Sequence, residues 1–525
     1  MAARPDGDET EMTAPDGQLL DVLVVGAGPT GLAAALIAHD HGAHVRIVDR
    51  RPDAPRFSRA FLVQPRTLEV LRPHGVTDEL LALGDSNPQV HLHLRRRCVP
   101  VDVGEIRLPD TAFPNFLLVR QADVEAVLRR ALRGRGVEVE WETQCESFRA
   151  DDGVVCDVTH HGIRRQIATR FLVGCDGSTS TVRATAGISW DGSVYPHEIL
   201  LADIELEGEV QIGVTHVAVH REGLLFLLPL GETARWRVLT AQPPNRAQAP
   251  TDRQHLQKIL DRADVPARIT RIAWSERVRV QHRVASRYRC GPIFLAGDAA
   301  HAFSPAGGQG MNTGIQDSAD LGWKLAFAAR LRPGGDAALV RSYAEERRRA
   351  AQQVLLLTHV LFWAEAGRGR VPSLLRGAFS SAGAPLVPVL LRRRRLVAHA
   401  VRVLAQLRRH YRHGPLSVEG SGDSGVAAPA GERIPDEEVA VDGGRQRLHD
   451  LIATPAVHVL LHRDTQWGMP PAPDGRLRVH RIRSWSGTGI VIVRPDGYVG
   501  FRSGSGTQGA AEWLELVGAS SARST

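Results

Sequence analysis

The sequence predicts an α/β fold. A parallel-sheet domain of the Rossmann type is interrupted by an antiparallel sheet and followed by a helical segment and a small C-terminal α/β domain. Three observations predict it. A buried strand, a glycine-rich turn and a helix follow one another from Leu19 to about His41. Short alternating apolar runs fill residues 184–274, between two strands that end at Asp176-Gly177 and Gly297-Asp298. Strands and helices then alternate again after residue 431.

Composition sets the broad class. The chain has 525 residues, 43% of them hydrophobic and 23% charged, which indicates a globular protein of several domains. The net charge of +7 comes almost entirely from arginine, since lysine occurs only at Lys258 and Lys324. Aromatic residues make up only 5%, and no basic stripe carries interleaved aromatics, so nucleic acid is not an expected partner.

The N-terminus and the cysteines indicate a cytoplasmic protein rather than an exported one. Residues 1–18 are acidic, rich in Pro and Gly and without an apolar core, which predicts a disordered tail instead of a signal peptide. No apolar run is long enough to span a bilayer. The five cysteines show neither C-x-x-C nor zinc spacing, so we expect thiols in a reducing compartment and no metal site. They are Cys98, Cys145, Cys156, Cys175 and Cys290.

The first motif predicts a dinucleotide site. The strand from Leu19 to Val25 runs into Gly26-Ala27-Gly28-Pro29-Thr30-Gly31, a G-x-G-x-x-G, and then into a helix. Gly26 permits the tight turn, Gly28 lets backbone amides approach a pyrophosphate, and Gly31 allows close packing of helix on strand. A second strand, Val45 to Val48, ends at Asp49-Arg50, where the acid is placed to accept a ribose hydroxyl.

Two further strand ends carry polar motifs. The strand Phe171 to Cys175 leads into Asp176-Gly177, with Ser180 and Arg183 beginning a short helix. The strand from Pro292 leads into Gly297-Asp298, then a glycine loop and a helix that begins near Met311. A carboxylate at a strand end suits a polyol hydroxyl, and free amides at a helix start suit an electron-rich ring edge. His301 lies in this loop, and a packing role is favoured over a proton shuttle.

Together the three motifs resemble the FAD-dependent aromatic-ring monooxygenases of the p-hydroxybenzoate hydroxylase fold. The resemblance spans roughly Leu19 to Leu357, and Ser58-Arg59-Ala60 with Arg66-Thr67-Leu68-Glu69 resembles the bacterial polyketide and phenol hydroxylase branch. It implies a Rossmann-like FAD-binding domain over 19–183 and 275–345, a substrate-binding β-sheet domain over 184–274 and a helical segment over 346–413.

The resemblance also implies the residues that hold FAD. Arg59 and Pro305 are expected on the catalytic side of the flavin, and Gln121 lies at the start of a helix predicted from Val119 to about Arg133. The Asp-Gly motif is implicated in both FAD and NADPH binding. The cofactor-binding residues implied are Gly26, Gly28, Pro29, Thr30, Gly31, Asp49, Arg50, Arg59, Gln121, Asp176, Gly177, Arg183, Gly297, Asp298, Pro305, Gly308, Gly310, Met311 and Asn312.

The activity implied is hydroxylation of an aromatic substrate, polycyclic of the polyketide type or phenolic. NADPH or NADH, as a transient co-substrate, reduces FAD, and O2 then forms a flavin C4a-hydroperoxide that attacks the ring. A Baeyer–Villiger monooxygenase on the same scaffold and a non-catalytic flavin- or ligand-binding protein remain as alternatives. A dehydrogenase binding NAD at the first motif leaves Gly297 to Asn312 unexplained. Tyr195, His197, His216, His220 and Arg221 lie in the expected substrate domain.

The C-terminal third fits the same branch. A Gly/Ser/Ala/Pro linker over 414–431 precedes an α/β pattern over 432–525 that is similar to the thioredoxin-like C-terminal domain of these hydroxylases. No cysteine lies beyond Cys290, so dithiol exchange is excluded and a structural or oligomer-contact role is expected. Self-association into a homodimer is left open. The run from Arg392 to Arg395 favours a solvated helix face over an anionic membrane contact.

Overall fold

The computed structural model describes most of the chain. It covers residues 10–11, 20–54, 60–95, 97–102, 104, 106, 108–151, 153–229, 233–243, 251–331, 337–422, 424–425, 427–463, 465–469, 474–504 and 507–520. Arg59 and most of the expected disordered tail fall outside these residues. The exception in the tail is Thr10–Glu11, a two-residue strand at the edge of a small sheet.

Thirteen α-helices occur within this described part of the chain. The helix predicted from Val119 begins at Gln121, and the helix predicted near Met311 begins two residues earlier, at Gln309. The bounds are α1 Pro29–Asp40, α2 Pro65–Leu71, α3 Thr77–Leu83, α4 Gln121–Arg133, α5 Thr181–Thr185, α6 Arg253–Arg262, α7 Gln309–Ala328, α8 Ala337–Ala366, α9 Arg370–Ala382, α10 Leu386–Arg392, α11 Arg394–Leu404, α12 Leu448–Leu451 and α13 Gln508–Leu516.

A six-stranded sheet, parallel apart from one edge pair, forms the centre of the Rossmann-type domain. Its order is β18 (Arg289–Cys290), β19 (Ile293–Leu295), β12 (Phe171–Gly174), β2 (Val22–Val25), β3 (Val45–Val48) and β8 (Val139–Glu140). β2, β12 and β19, which precede the three motifs, are neighbours, and parallel strands bring their carboxyl ends to one edge. Helix α1 is buried on nearly every side because α7 packs against it, with Gly322 in contact with Ile37.

An eight-stranded sheet lies beside this domain. Its order is β20 (His301–Ala302), β17 (Ala267–Ala285), β13 (Trp190–Gly208), β16 (Trp236–Gln242), β15 (Gly223–Leu228), β14 (Thr215–His220), β5 (Gln89–Leu94) and β6 (Arg97–Asp102). The two 19-residue strands β13 and β17 pair along almost their whole length. The sheet therefore extends past the expected 184–274, because β5 joins β14 in parallel and β20 joins β17. Long-range pairing of this kind leaves no local sequence signal.

Two smaller sheets complete this part of the chain. One has the order β1 (Thr10–Glu11), β11 (Ile163–Thr169), β10 (Gly153–His160) and β9 (Thr143–Asp151), and the other pairs β4 (Leu62–Val63) with β7 (Leu117–Leu118).

The C-terminal part folds around a five-stranded sheet. Its order is β21 (Val418–Glu419), β27 (Val499–Ser503), β26 (Ile490–Val493), β24 (Val457–His462) and β25 (Leu477–Ile482), with β22 (Glu438–Val441) and β23 (Gly444–Arg447) as a separate hairpin. β21 lies within the expected linker of 414–431. The linker is held in place, because the Trp513 indole also donates to the Leu416 carbonyl at 3.0 Å.

Buried arginines join the C-terminal part to the rest of the chain. Arg494, in the turn between β26 and β27, is 1% exposed and donates to both oxygens of Glu346 on α8, at 2.9 and 2.8 Å. Arg433 makes a bidentate pair with Glu69 on α2, at 2.8 and 2.6 Å. The polar side of α2 is therefore a domain interface.

Buried histidines in the C-terminal part predict that the stability of the protein depends on pH. His458 is 2% exposed, and burial lowers its pKa to about 3. The unfolded chain takes up this proton near the ordinary pKa of about 6.5. The buried, neutral His458 therefore contributes its full stabilisation above about pH 6.5. This contribution is lost as the pH falls toward the folded-state pKa. His458→Gln should reduce the slope of unfolding free energy against pH by about 1.4 kcal/mol per pH unit in this window. Urea unfolding at stepped pH measures it, with exposed His161→Gln as control; equal slopes in all three proteins would contradict the assignment.

Candidate active site

The glycine-rich turn after β2 has the shape of a phosphate cradle. Gly26 has φ +106°, and a Cβ there would lie 2.3 Å from the Cys175 carbonyl oxygen. A Cβ on Gly31 would lie 1.8 Å from the Gly26 carbonyl oxygen, so this glycine sets how closely α1 approaches the turn. A Cβ on Gly28 would meet nothing within 4 Å. With Pro29 at its first position and no acid in its first turn, α1 directs its amides into open space beside Gly28.

Asp49 closes the other side of this turn. One of its carboxylate oxygens accepts the Ala27 N–H at 2.7 Å and the Arg51 guanidinium at 2.8 Å. The second accepts both the backbone N–H and the Nε–H of Arg51, each at 2.9 Å. Burial raises the pKa of Asp49, but these hydrogen bonds outweigh it and hold the pKa below its ordinary value. Since the four acceptor positions of the carboxylate are used, a ribose hydroxyl would replace one arginine contact.

A cavity of about 260 Å³ brings the first two motifs together. It is where Gly26, Gly28, Asp49 and Arg50 of the first motif meet Asp176 and Gly177 of the second. Residues without a sequence signal complete its wall. Its lining is Val25, Gly26, Gly28, Asp49, Arg50, Arg51, Thr143, Gln144, Cys145, Cys175, Asp176, Gly177, Thr179 and Thr181.

The Asp-Gly motif is an internally bonded turn. Asp176 accepts hydrogen bonds from Ser180 Oγ and from the Val182 N–H, and burial raises its pKa. Ser180 caps α5, as its position before Arg183 predicts. Arg183 lies over the Trp190 ring at 3.9 Å and donates at 2.9 Å to the Ala299 carbonyl. This arginine therefore ties the second motif to the third.

Thr30 is the junction of the first and third motifs. A Cβ on Gly297, whose φ is +59°, would lie 2.4 Å from Thr30 Oγ1, and a Cβ on Gly314 would lie 2.2 Å from the same oxygen. Ser318 Oγ on α7 donates to the Thr30 carbonyl at 2.7 Å. Asp298 is exposed beside this junction. Two glycine corners that are remote in sequence are thus in contact with each other.

Beneath the Gly-Asp loop lies a buried polar group around Asp317, a residue of the same motif to which the sequence assigned no role. Asp317 on α7 is 0% exposed and accepts the Gly297 N–H at 3.0 Å, His301 Nε2–H at 2.6 Å and Arg347 Nε–H at 2.7 Å. Burial raises the pKa of Asp317, but Arg347 and His301 outweigh it and hold the pKa below its ordinary value. His301 is itself 0% exposed, which agrees with a packing role. Nothing in the local sequence pairs Asp317 with a loop 20 residues earlier.

The first turn of α7 offers backbone amides. Gly308 has φ +61°, no side chain caps the helix, and a Cβ on Gly310 would meet nothing within 4 Å. The Asn312 side chain is engaged elsewhere. It accepts the Gln64 N–H at 2.8 Å and donates to the Leu62 carbonyl at 2.8 Å. Any ligand at this helix start would therefore meet the amides of Gly310 and Met311 and not the asparagine side chain.

The remaining sequence-predicted residues lie around this helix start or outside the described chain. Pro305 is exposed, in a loop fixed by Ser304 Oγ, which donates to the Thr358 carbonyl at 3.0 Å. The Gln121 N–H donates at 3.0 Å to the carbonyl of Ala60, the residue that follows Arg59. The Gln121 side-chain amide donates to Glu125 at 2.9 Å.

An apolar cluster connects the Pro305 loop to the large sheet and to α8. Four of its aromatic members, Phe61, Tyr195, Phe226 and Trp274, are only partly buried. The buried members are Ile199, Leu201, Leu239, Val280, Ala306, Phe362 and Ala366. A surface of this kind suits a flat aromatic ligand.

Two polar side chains border this cluster, and a buried acid lies along α8 between two of its members, Phe362 and Ala366. Tyr195 packs in it, and its hydroxyl lies 2.6 Å from His359 Nδ1. His197 meets Phe362 edge-on, and neither ring nitrogen has a partner within the described part of the chain. Glu365 on α8 is 8% exposed, and burial raises its pKa to about 7. Glu365 is the sole acid between residues 356 and 400, a sequence signal that could have identified it. His216 lies elsewhere, 2.8 Å from His93.

Two family models match the chain. The FAD binding domain matches residues 19–358, and the C-terminal domain of aromatic-ring hydroxylases matches residues 428–518. The open space at Gly28 and Gly310, and the motifs that meet at Thr30, fit an extended dinucleotide such as FAD.

Individual relatives agree with this assignment. The chain is 32% identical to 6-methylpretetramide 4-monooxygenase of Streptomyces rimosus, covering 94% of this chain and 93% of that protein. The anhydrotetracycline hydroxylase OxyS of Streptomyces rimosus has a similar structure, with a TM-score of 0.73, 26% identity and coverage of 95% and 99%. The Diels-Alderase PyrE3 of pyrroindomycin biosynthesis is similar to the same degree, with a TM-score of 0.73, 27% identity and coverage of 94% and 98%.

A family model over more than half of the chain, and a relative aligned along nearly all of it, leave a non-catalytic binding protein without support. The chain belongs to the FAD-dependent aromatic-ring hydroxylases, a family of flavin-dependent monooxygenases.

Proposed function

We propose that the protein uses FAD, NADPH or NADH, and O2 to hydroxylate an aromatic substrate, polycyclic of the polyketide type or phenolic. The observation that carries this proposal is the junction at Thr30, where the Gly-Asp loop contacts the start of α1. A ligand that contacts both glycine corners, the one at Gly26 to Gly31 and the one at Gly297-Asp298, must be long and extended. The tetracycline-type substrates named for two of the relatives support the polyketide class.

In this proposal each motif holds one part of FAD. The amides of Thr30 and Gly31 bind the pyrophosphate beside Gly28, and Asp49 and Arg50 border the ribose in the 260 Å³ cavity. Asp298 accepts a hydroxyl of the ribityl chain. The amides of Gly310 and Met311 stabilise negative charge at the ring edge, since a helix start carries partial positive charge. The other proposed contacts are Gly26, Pro29, Arg59, Gln121, Asp176, Gly177, Arg183, Gly297, Pro305, Gly308 and the backbone at Asn312.

Bound FAD would supply the redox chemistry that activates O2 at its C4a position, with reduction by the nicotinamide. The protein supplies a dry pocket, because water at the reacting atoms favours loss of hydrogen peroxide. The apolar cluster between the sheet, the Pro305 loop and α8 excludes water on the substrate side. Glu365 accepts the proton of a substrate hydroxyl there, which makes the ring more electron-rich.

The Glu365 role predicts a pH profile. With a pKa of about 7, the carboxylate forms as pH rises, so the hydroxylation rate should increase through neutral pH. Glu365→Gln should lower the rate by roughly 100-fold and abolish this rise. The control is Glu222→Gln, whose side chain is 66% exposed. A Glu365→Gln profile that keeps the same inflection would contradict the assignment.

The cofactor contacts predict losses of FAD binding. Gly28→Ala should fold normally, since its Cβ meets no protein atom, but the methyl group occupies the space proposed for the pyrophosphate. We expect FAD affinity to fall at least roughly 10-fold in this variant. The same fall is expected in Asp298→Ala, because this change removes about one charge-assisted hydrogen bond. Fluorescence titration of the apoprotein measures it. Gly443→Ala, a glycine with equally open space, is the control. Unchanged affinity in Asp298→Ala would remove that residue from the site.

The reaction itself is tested with labelled oxygen. NADPH and NADH oxidation is followed with a panel of phenols and anthraquinones under ¹⁸O2, with hydrogen peroxide measured in parallel. The proposal predicts one labelled hydroxyl oxygen in the product. A labelled lactone would instead identify a Baeyer–Villiger reaction. Conversion of the substrate with neither ¹⁸O in the product nor oxidation of NADPH or NADH would show that the reaction is not an oxygenation.

A further inference from the structure

Large apolar side chains are exposed on one surface of the protein. Ten of the fifteen exposed large apolar residues in the described part of the chain lie between residues 356 and 396, less than a tenth of the sequence. We call this surface the apolar–arginine face. Its apolar members are Leu356, Val360 and Trp363 on α8, Val371, Leu374 and Leu375 on α9, Leu386, Val389 and Leu390 on α10, and Leu396 on α11.

The fold does not require these side chains for its own core. Helix α10 already buries Val387 and Leu391 against Leu94 and Val219 at the edge of the large sheet. On α9 the inward residues repeat every four positions and include Pro372 and Arg376. The exposed residues are therefore second apolar faces on helices whose inner faces are already packed. Exposed apolar side chains concentrated in this way mark an interaction site.

The exposed side-chain charge within residues 356–400 has one sign. Six exposed arginines belong to it: Arg368, Arg370, Arg392, Arg393, Arg394 and Arg395. Between residues 356 and 400 the sole acid is Glu365, which points inward and is 8% exposed. The partner of this face must therefore combine apolar contact with negative charge.

The arginine run alone favours a solvated helix face, but the exposed apolar residues beside it change this interpretation. We propose that the apolar–arginine face binds the surface of an anionic phospholipid bilayer. Leucine and valine enter the acyl boundary, Trp363 lies at the headgroup level, and the arginines pair with lipid phosphates. No single described helix is long and apolar enough to cross a bilayer, but α9 and α10 satisfy that criterion as a pair bent by 93°. A bend of this size in helices rimmed by arginine suits binding along the interface.

A second copy of the chain fits this face less well. In a symmetric dimer the same patch contacts itself. Six arginines from each copy would then approach one another without an exposed acid from residues 356–400 to compensate them. Like charges so close at a desolvated contact are unfavourable.

The experiment is co-sedimentation of the full-length, FAD-loaded protein with vesicles. Phosphatidylcholine vesicles containing phosphatidylglycerol are compared with phosphatidylcholine alone, at low and high salt. Two double variants are tested, Leu374→Gln/Leu375→Gln and Arg393→Gln/Arg394→Gln. The matched control is Ile163→Gln/Ile212→Gln, at side chains that are 59% and 63% exposed elsewhere. Flavin absorbance verifies folding of each variant.

We expect the wild-type and control proteins to bind the anionic vesicles. Each double variant should bind at least roughly 10-fold more weakly than the wild-type protein, and high salt should weaken wild-type binding. If the wild-type protein does not bind anionic vesicles at low salt, the proposal is overturned. This is also the result expected if the face binds an acidic protein and not a bilayer. A wild-type dimer that the leucine variant dissociates, measured by sedimentation velocity without vesicles, also overturns it and makes the face a contact between copies.

Discussion

Replacing Arg494 by methionine should destabilise the protein by about 3–5 kcal/mol, the cost of removing one partner from a buried ion pair. Arg494 holds Glu346 and its own neighbour Asp496, and it lies 3.3 Å from Asp320 on α7. Without it, Glu346 and Asp320 keep Lys324, whose Nζ lies 2.8 Å from Glu346, while Asp496 loses the arginine and keeps the Tyr498 N–H. The methionine can fill the volume but not the charge.

The Arg494→Met effect has a predicted pH dependence. Arg494 and Lys324 oppose burial and keep the pKa of Glu346 low. Once the arginine is lost, burial raises the folded-state pKa of Glu346 above its unfolded value. The variant is then relatively more stable in acid and loses stability as pH rises. Urea unfolding at several pH values measures this, with Arg483→Met, 70% exposed and paired with Asp442, as control. A loss below about 1 kcal/mol, the scale of an exposed pair, would contradict the account.

Replacing Asp317 by alanine should cost a similar amount and should also weaken FAD binding. Arg347, 1% exposed, would lose its carboxylate, and the Gly297 N–H and His301 would lose their acceptor. We expect about 3–5 kcal/mol of destabilisation from the uncompensated charge. Because Gly297 precedes Asp298, we also expect a loop that no longer holds the ribityl contact in place.

The two effects of Asp317→Ala are separable. Unfolding free energy is measured on the apoprotein and FAD affinity by titration under conditions in which the variant is folded. The control is Asp123→Ala, a half-buried helix residue paired with Arg120. Reduced stability with wild-type FAD affinity would show that Asp317 supports the core and does not position the loop.

The sequence predicted well what depends on local order. A glycine turn between an apolar strand and a helix has few conformations, so the positions of Gly26, Gly28 and Gly31 followed from spacing alone. Ser180 capping α5 is of the same kind. These features depend on residues within one turn of one another.

What sequence did not predict depends on contacts between distant segments. Asn312 was placed correctly at a helix start, yet its side chain bonds Gln64 and Leu62 and does not face the open space. Spacing fixes position along a helix but not which distant donor a side chain meets. The same holds for Asp317 with Gly297, and for Glu69, whose partner Arg433 lies 364 residues away. The pairing of β5 with β14 likewise involves segments far apart in sequence.

The most direct test of the central claim is an electron-density map of the FAD complex. We expect density for a single extended FAD, with its pyrophosphate at the amides beside Gly28, its ribityl chain at Asp298 and its ring edge at Gly310 and Met311. A cofactor bound through the Gly28 turn alone, with Asp298 and the start of α7 facing solvent or another ligand, would contradict it.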